Sequence, residues 1–264
     1  MSSKQDLFYE MDTHLQKDEQ PSHYFNSISE EPIFSEYPFL MLDKMKRTKQ
    51  SPQHHPEGNV WNHTMLVVDT AAGIKSKSEN PTVFMWAALL HDIGKPDTTQ
   101  NRKGKITSYN HDKLGAELAR DFLAEFTLDS DFIESVASLV RWHMQLLFVV
   151  NDLRFAEVGA MKQQVNVSEV ALLGLCDRLG RLGADRQREE SNVRIFLQKC
   201  KSNVSQKSFR LLLLAETGSF LRELEKYRIN TCQLLKLSLL HLVQIPIQTQ
   251  AQTHSSQCSA DSSI

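Results

Sequence analysis

The chain has no Cys-x-x-Cys pair; its four cysteines, Cys176, Cys200, Cys232 and Cys258, are scattered. That spacing fits reduced thiols in a cytoplasm rather than a disulfide framework. No uninterrupted apolar run approaches the ~18 residues of a membrane helix, so no membrane span is expected. The N-terminus carries Asp and Glu among polar residues, unlike a signal peptide. Charge of one sign is also missing: 30 Lys and Arg against 32 Asp and Glu leave a net charge of −2. No global basic field argues for tight nucleic-acid binding, although local Lys and Arg clusters leave room for a small phosphate-bearing substrate. There is no internal repeat and no sustained period-two alternation, so the fold is read as all-α. With 41% hydrophobic residues over 264 positions, the chain can bury a substantial core.

What is present is organised around Leu89-Leu90-His91-Asp92-Ile93-Gly94-Lys95-Pro96. The apolar run Val83 to Leu90 predicts a buried helix over Pro81–Asp92. Gly94 is expected to stop it with a positive φ, and Pro96 to prevent continuation. Neighbours inside a helix point about 100° apart, so adjacent His and Asp share a target most readily at a helix end. An imidazole and a carboxylate meeting there suit a divalent transition metal.

In chain order, residues 1–29 are expected as loose surface helices and Glu30–Thr48 as a helix with a basic end. Residues 51–58, Ser-Pro-Gln-His-His-Pro-Glu-Gly, predict a loop. Asn59 then caps a helix to about Lys75, with His63 among apolar neighbours. Asp97–Ser108 is expected as a charged loop over a site, followed by helices His111–Phe126, Asp131–Val149 and Asp152–Gln163. Ser168–Leu182 is a strongly apolar helix containing Asp177, and further helices are predicted over Arg186–Lys201 and Lys207–Tyr227. The expected division is a helical extension over 1–50, a central domain over 51–228 and a C-terminal segment, 229–264. The Gln-, Ser- and Thr-rich tail from Gln248 lacks the apolar residues to order itself.

The metal-capable residues on apolar helices are His63, His91, Asp92, His111, His143 and Asp177. Each alone has a plain structural explanation: His63 as a hydrogen-bonded core residue, Asp177 as an i, i+4 ion pair with Arg181. Together they put ligands on five helices that a bundle can bring to one internal point. His63, His91, Asp92 and Asp177 suffice for one metal, and Asp92 could bridge to a second held by His111 and His143. Imidazole and carboxylate donors suit Mn, Fe, Zn, Ni or Co.

The order His, His-Asp, His, His, Asp resembles the HD superfamily of metal-dependent phosphohydrolases, an all-α helical bundle with its metal site at the centre. His55-Pro56-Glu57-Gly58-Asn59-Val60-Trp61-Asn62-His63-Thr64 and Asp177-Arg178-Leu179-Gly180-Arg181 resemble, more narrowly, the HD domain of bacterial tRNA CCA-adding enzymes. The resemblance spans roughly Phe39 to Gly183. It implies His63, His91, Asp92 and Asp177 as first-metal ligands. His111 and His143 would hold a second metal or the substrate phosphate, and Lys95 would contact the phosphate. Two departures matter. No Gly-Ser followed by Asp-x-Asp lies upstream, so CCA addition is not expected. The Gly-Tyr-Pro that accompanies His-Asp-Ile-Gly-Lys in cyclic-di-GMP phosphodiesterases is missing.

The function expected is therefore hydrolysis of a phosphoester in a small nucleotide or RNA-like substrate, including an RNA end. Phosphatase, 2′-nucleotidase and 2′,3′-cyclic phosphodiesterase activities all fit. Asp92, Lys95 and His111 are the expected catalytic residues; Lys95, His111, Arg178 and Arg181 the expected substrate contacts. The alternatives are a di-iron oxygenase, a class that shares this ligand pattern on the HD fold, and a non-catalytic binding module.

Overall fold

A computed structural model describes the backbone of residues 3–216 and the side chains of 3–201. Residues Met1–Gln206 make one compact unit and Lys207–Ile264 a second; the bundle and its buried centre belong to the first. The expected boundary at 228 and the segment 229–264 lie outside the described residues.

The helices are α1 (Lys4–Lys17), α2 (Ser22–Ile28), α3 (Leu40–Arg47), α4 (Val60–Ala72), α5 (Pro81–Leu90), α6 (Lys95–Thr98), α7 (His111–Ala124), α8 (Ser130–Trp142), α9 (Gln145–Val150), α10 (Val158–Gln164), α11 (Val167–Leu179) and α12 (Arg186–Glu216). A small antiparallel hairpin, β1 (Thr99–Arg102) and β2 (Lys105–Ser108), is the one sheet among the described residues. The fold is all-α, as the absence of alternation predicts.

Helix α5 is the axis. Asn80 caps it by accepting from Val83 N, Pro81 occupies its first turn, and every residue from Val83 to Leu90 is buried. Buried on all sides, it packs against α1, α4, α8 and α11. Its end carries His91 and Asp92 to the centre of the bundle.

Several expectations give way to packing. Residues 1–29 are not loose: Leu7, Phe8, Met11 and Leu15 of α1 are buried, Phe8 stacks on Trp86 at 4.7 Å, and Trp86 Nε1 donates to Asp12 Oδ1. Each such side chain buried contributes about 1.5–3 kcal/mol. The helix expected over Glu30–Thr48 is broken into a 3-10 turn at Pro32–Ser35 and α3, because Pro38 lacks an amide hydrogen and crowds the preceding turn. The expected loop over Asp97–Ser108 is α6 and the hairpin, whose two-residue turn has Lys103 at φ 52° and Gly104 at φ 79°, the left-handed pair that matches strand twist. Residues 151–157 are a loop rather than the start of a helix, and α10 begins at Val158. The break expected between residues 201 and 207 is absent, since nothing there is Pro or Gly, and α12 runs through.

Gly94 does not stop α5 with a positive φ; its φ is −81°. It is glycine for space. A Cβ there would lie 2.3 Å from His111 O and 2.6 Å from Gly115 N, so α7 crosses directly over the His-Asp turn. Pro96 sits in the first turn of α6, where its missing amide hydrogen costs nothing.

Ser130–Val150 is, among the described residues, the one stretch long and apolar enough to cross a membrane, and half of it is buried inside the protein. A turn at His143-Met144 divides it into α8 and α9.

Candidate metal centre

All six residues predicted as ligands are buried and meet in one place. His63 arrives on α4, His91 and Asp92 just past α5, His111 in the first turn of α7, His143 just past α8 and Asp177 near the end of α11. Three of the imidazoles are locked alike. His91 Nδ1 donates to Ala88 O at 2.8 Å, His143 Nδ1 to Val140 O at 2.7 Å, and His111 Nδ1 to Ser108 O at 2.7 Å. A carbonyl only accepts, so each Nδ1 carries the hydrogen, and each ring in its neutral form turns an Nε2 lone pair inward. For His91 and His143 the acceptor is a carbonyl left without a helical partner by the helix end, so the cap and the tautomer are one feature.

Asp92 divides its carboxylate between two groups. Oδ2 lies 3.2 Å from His91 Nε2 and 3.9 Å from His63 Nε2; Oδ1 lies 3.5 Å from His111 Nε2 and 3.8 Å from His143 Nε2. His63-His91-Asp92 and Asp92-His111-His143 each have donor atoms mutually within 4.8 Å, close enough for one ion apiece. Asp177 joins the first group at His63 Nε2, 3.1 Å away, and its other partner is Arg181. Asp177 thus makes both the i, i+4 ion pair with Arg181 and a contact with His63.

The donor set fits a cation. His111 and His143 face each other Nε2 to Nε2 at 3.2 Å, two lone pairs with no hydrogen of their own to share. Burial pushes the pKa of His111 down, and burial with the neighbouring imidazoles holds His143 at about 4, so protonation is a poor remedy. His91 Nε2 is buried with no hydrogen-bond partner among the described residues. Asp92 stays ionised: burial opposes the charge, but His91 and Lys95 outweigh it and hold the carboxyl well below the usual range. Asp177 is lowered in the same way, Arg181 being the main opponent of burial.

Lys95 Nζ stands 2.6 Å from Asp92 Oδ2 and donates to Gln50 Oε1 at 2.7 Å. Lys95, His111, Arg178 and Arg181, the expected substrate contacts, all line one cavity of about 750 Å³ with Asp92, His143 and Asp177 in its wall. Arg178 is set apart from the cluster by an ion pair with Glu189 at 3.2 Å.

Three contributors were missed by sequence reasoning: Gln50, His55 and Glu57. Glu57 Oε1 accepts from His63 Nδ1 at 2.9 Å and from His55 Nδ1 at 2.8 Å, while Oε2 accepts from Leu182 N at 3.4 Å. Burial disfavours the Glu57 charge, but the His63 hydrogen bond leads a set of contacts that brings its pKa to about 2. Burial drives His55 down as well, to about 3. Glu57 is thus the carboxylate behind His63, a buried orienting partner of the kind that fixes a ligating ring. Glu57→Gln is expected to weaken metal binding at the His63 group by about 10- to 100-fold while leaving the helical far-UV signal intact. Titration against a competing chelator measures this, and unchanged affinity would remove Glu57 from the centre.

The HD domain family model matches residues 60–181. The multifunctional CCA protein of Actinobacillus pleuropneumoniae is 31% identical over 105 residues, 40% of this chain and 25% of that protein. The multifunctional CCA protein of Aromatoleum aromaticum is 39% identical over 79 residues, 30% of this chain and 18% of its own. The CC-adding tRNA nucleotidyltransferase of Thermus thermophilus is 30% identical over 129 residues, 48% of this chain and 29% of its own. The chain spans about a quarter of the length of these relatives. Residues 60–181, the part of the chain that the HD domain family model matches, carry all six converging side chains.

Proposed function

We propose that the centre is that of a metal-dependent phosphohydrolase which cleaves a phosphoester in a nucleotide or RNA-like substrate. The observation that carries this reading is the pair of donor groups sharing Asp92, with the opposed His111 and His143 nitrogens, in the wall of a cavity lined by Lys and Arg. His63, His91, Asp92 and Asp177 would hold one divalent ion and Asp92, His111 and His143 a second, with Mn, Fe, Zn, Ni or Co the metals these donors suit. When bound, such an ion supplies hydroxide near neutral pH by lowering the pKa of its water from 15.7 toward about 7.

The chain's own residues handle the rest. Asp92 keeps its charge among the four imidazoles around it. Lys95, held by Gln50, presents an ammonium to the phosphoryl oxygens, and Arg181 and Arg178 add positive charge along the same wall. Charge placed where it develops favours the transition state over the bound substrate. His111, at the cavity wall and neutral, can take or give a proton where it is not engaged as a ligand. That one relative is named for adding CC to tRNA motivates including an RNA end among the substrates.

The test is metal analysis of the purified protein, then reloading with each of the five metals and assaying phosphate release. The panel is a generic phosphomonoester, 2′-nucleotides, 2′,3′-cyclic nucleotides and a short RNA with a cyclic phosphate end. Hydrolysis lost to chelator and restored by one metal is expected. No hydrolysis with any metal overturns the reading, and oxygen uptake by the iron-loaded protein in its place would support the di-iron oxygenase.

A further inference from the structure

We propose that Phe148 and Phe155 form a stacking subsite for the nucleobase of a substrate whose phosphate lies at Lys95 and His111. The phosphate end rests on the function proposed above; the aromatic end rests on separate observations. Both rings line the cavity that holds Asp92 and Lys95. Phe155 is 42% exposed, and Phe148 is half-buried within α9. Their centroids are 5.6 Å apart with the planes inclined at 50°. The guanidinium of Arg154 lies 4.9 Å from the Phe155 centroid, and Arg planes as well as aromatic rings are surfaces on which bases stack. Large rings left in the lining of a cavity that also presents Lys95, Arg178 and Arg181 are the arrangement of a site that orients a part-apolar ligand.

The loop that carries Phe155 is fixed before any ligand arrives. Gln145 is 1% exposed and spends both ends of its amide on this loop. Its Nε2 donates to Phe155 O at 3.2 Å, and its Oε1 accepts from Glu157 N at 2.8 Å. Leu153 N donates to Phe148 O at 2.8 Å. The carbonyl of Phe155 and that of Phe148 are therefore both tied, which reduces the ordering cost of binding. A cavity of about 750 Å³ falls within the ~300–1,000 Å³ of small-molecule sites and exceeds what a phosphate alone requires. Every base has a π-face, so stacking here admits purines and pyrimidines alike and rejects base-free phosphoesters.

The experiment compares AMP, CMP and ribose 5-phosphate on the purified, metal-containing protein, with Kd read by calorimetry on a timescale shorter than turnover. The two nucleotides are expected to bind about 5- to 150-fold tighter than ribose 5-phosphate, the range that one stacked base supplies. Phe155→Ala and Phe148→Ala should remove most of that difference and leave ribose 5-phosphate where it was. Phe155→Leu, which keeps bulk without a π-face, should behave like Phe155→Ala and answers the case in which an alanine disturbs the loop. Equal binding of all three by the wild type, no binding of any, or a difference that survives every substitution overturns the subsite. Failure of the phosphohydrolase reading is separately visible: no phosphate leaves any of the three compounds while the binding difference stands.

Discussion

Asp92→Ala is expected to strip the centre of metal and lower turnover by about 10³-fold or more, since the electrostatic stabilisation lost with a metal is several kcal/mol. Asp92 is the one residue that belongs to both donor groups: Oδ2 faces His63 and His91, Oδ1 faces His111 and His143. Removing it takes a donor from each group at once, so the loss is not confined to one ion. A second cost falls on the fold. Lys95 is buried with its ammonium 2.6 Å from Asp92, and taking away one partner of a buried pair costs about 3–5 kcal/mol. Gln50, still bonded to Lys95, offsets part of this. Asp92→Asn separates the two effects, because it keeps the volume and a hydrogen-bonding carbonyl while discarding the charge. Both variants should retain the helical far-UV signal and lose metal by elemental analysis. A variant with full metal content would end the assignment of Asp92 as the shared ligand.

The centre was legible because its signals are of two strong kinds. The run Val83 to Leu90 is apolar throughout, and such a stretch ending in His-Asp has to deliver that pair into the interior. His63, His143 and Asp177 each sit on apolar helices, where a polar side chain must be partnered. Glu57 carried no such signal. It lies in a Pro- and Gly-containing loop without periodicity, and its role depends on how that loop folds back on His63 and on the approach of residue 182. Gly94 was noticed for the wrong physical property. A glycine after a helix marks either a positive φ or a close approach, and only the position of α7 decides for the second. Helix α1 was undervalued because its average composition is polar, although Leu7, Phe8, Met11 and Leu15 fall on one helical stripe. The hairpin at Thr99–Ser108 has strands of four residues, too short for alternation to show.

His143→Ala is expected to leave a protein that holds about one metal ion where the wild type holds two. The opposed nitrogens of His111 and His143 make the case. Their Nδ1 hydrogens are committed to Ser108 O and Val140 O, so their Nε2 atoms meet at 3.2 Å as acceptors only. A shared proton could bridge them, but burial lowers both pKa values and places His143 at about 4, so near neutral pH that proton is held weakly. A dication bound also by Asp92 Oδ1 satisfies all three donors. His111→Ala should act similarly on metal content if His111 is a ligand. If it contacts the phosphate instead, metal content stays and the change appears in KM, or in kcat where the contact strengthens in the transition state. His143, 1% exposed against 7% for His111, is the more closed of the two to a substrate. Metal-to-protein ratios of the wild type and both variants, prepared in metal-replete medium, decide the matter. A wild-type ratio that stays near one at saturating metal sinks the second site and turns His111 and His143 into groups that serve the substrate.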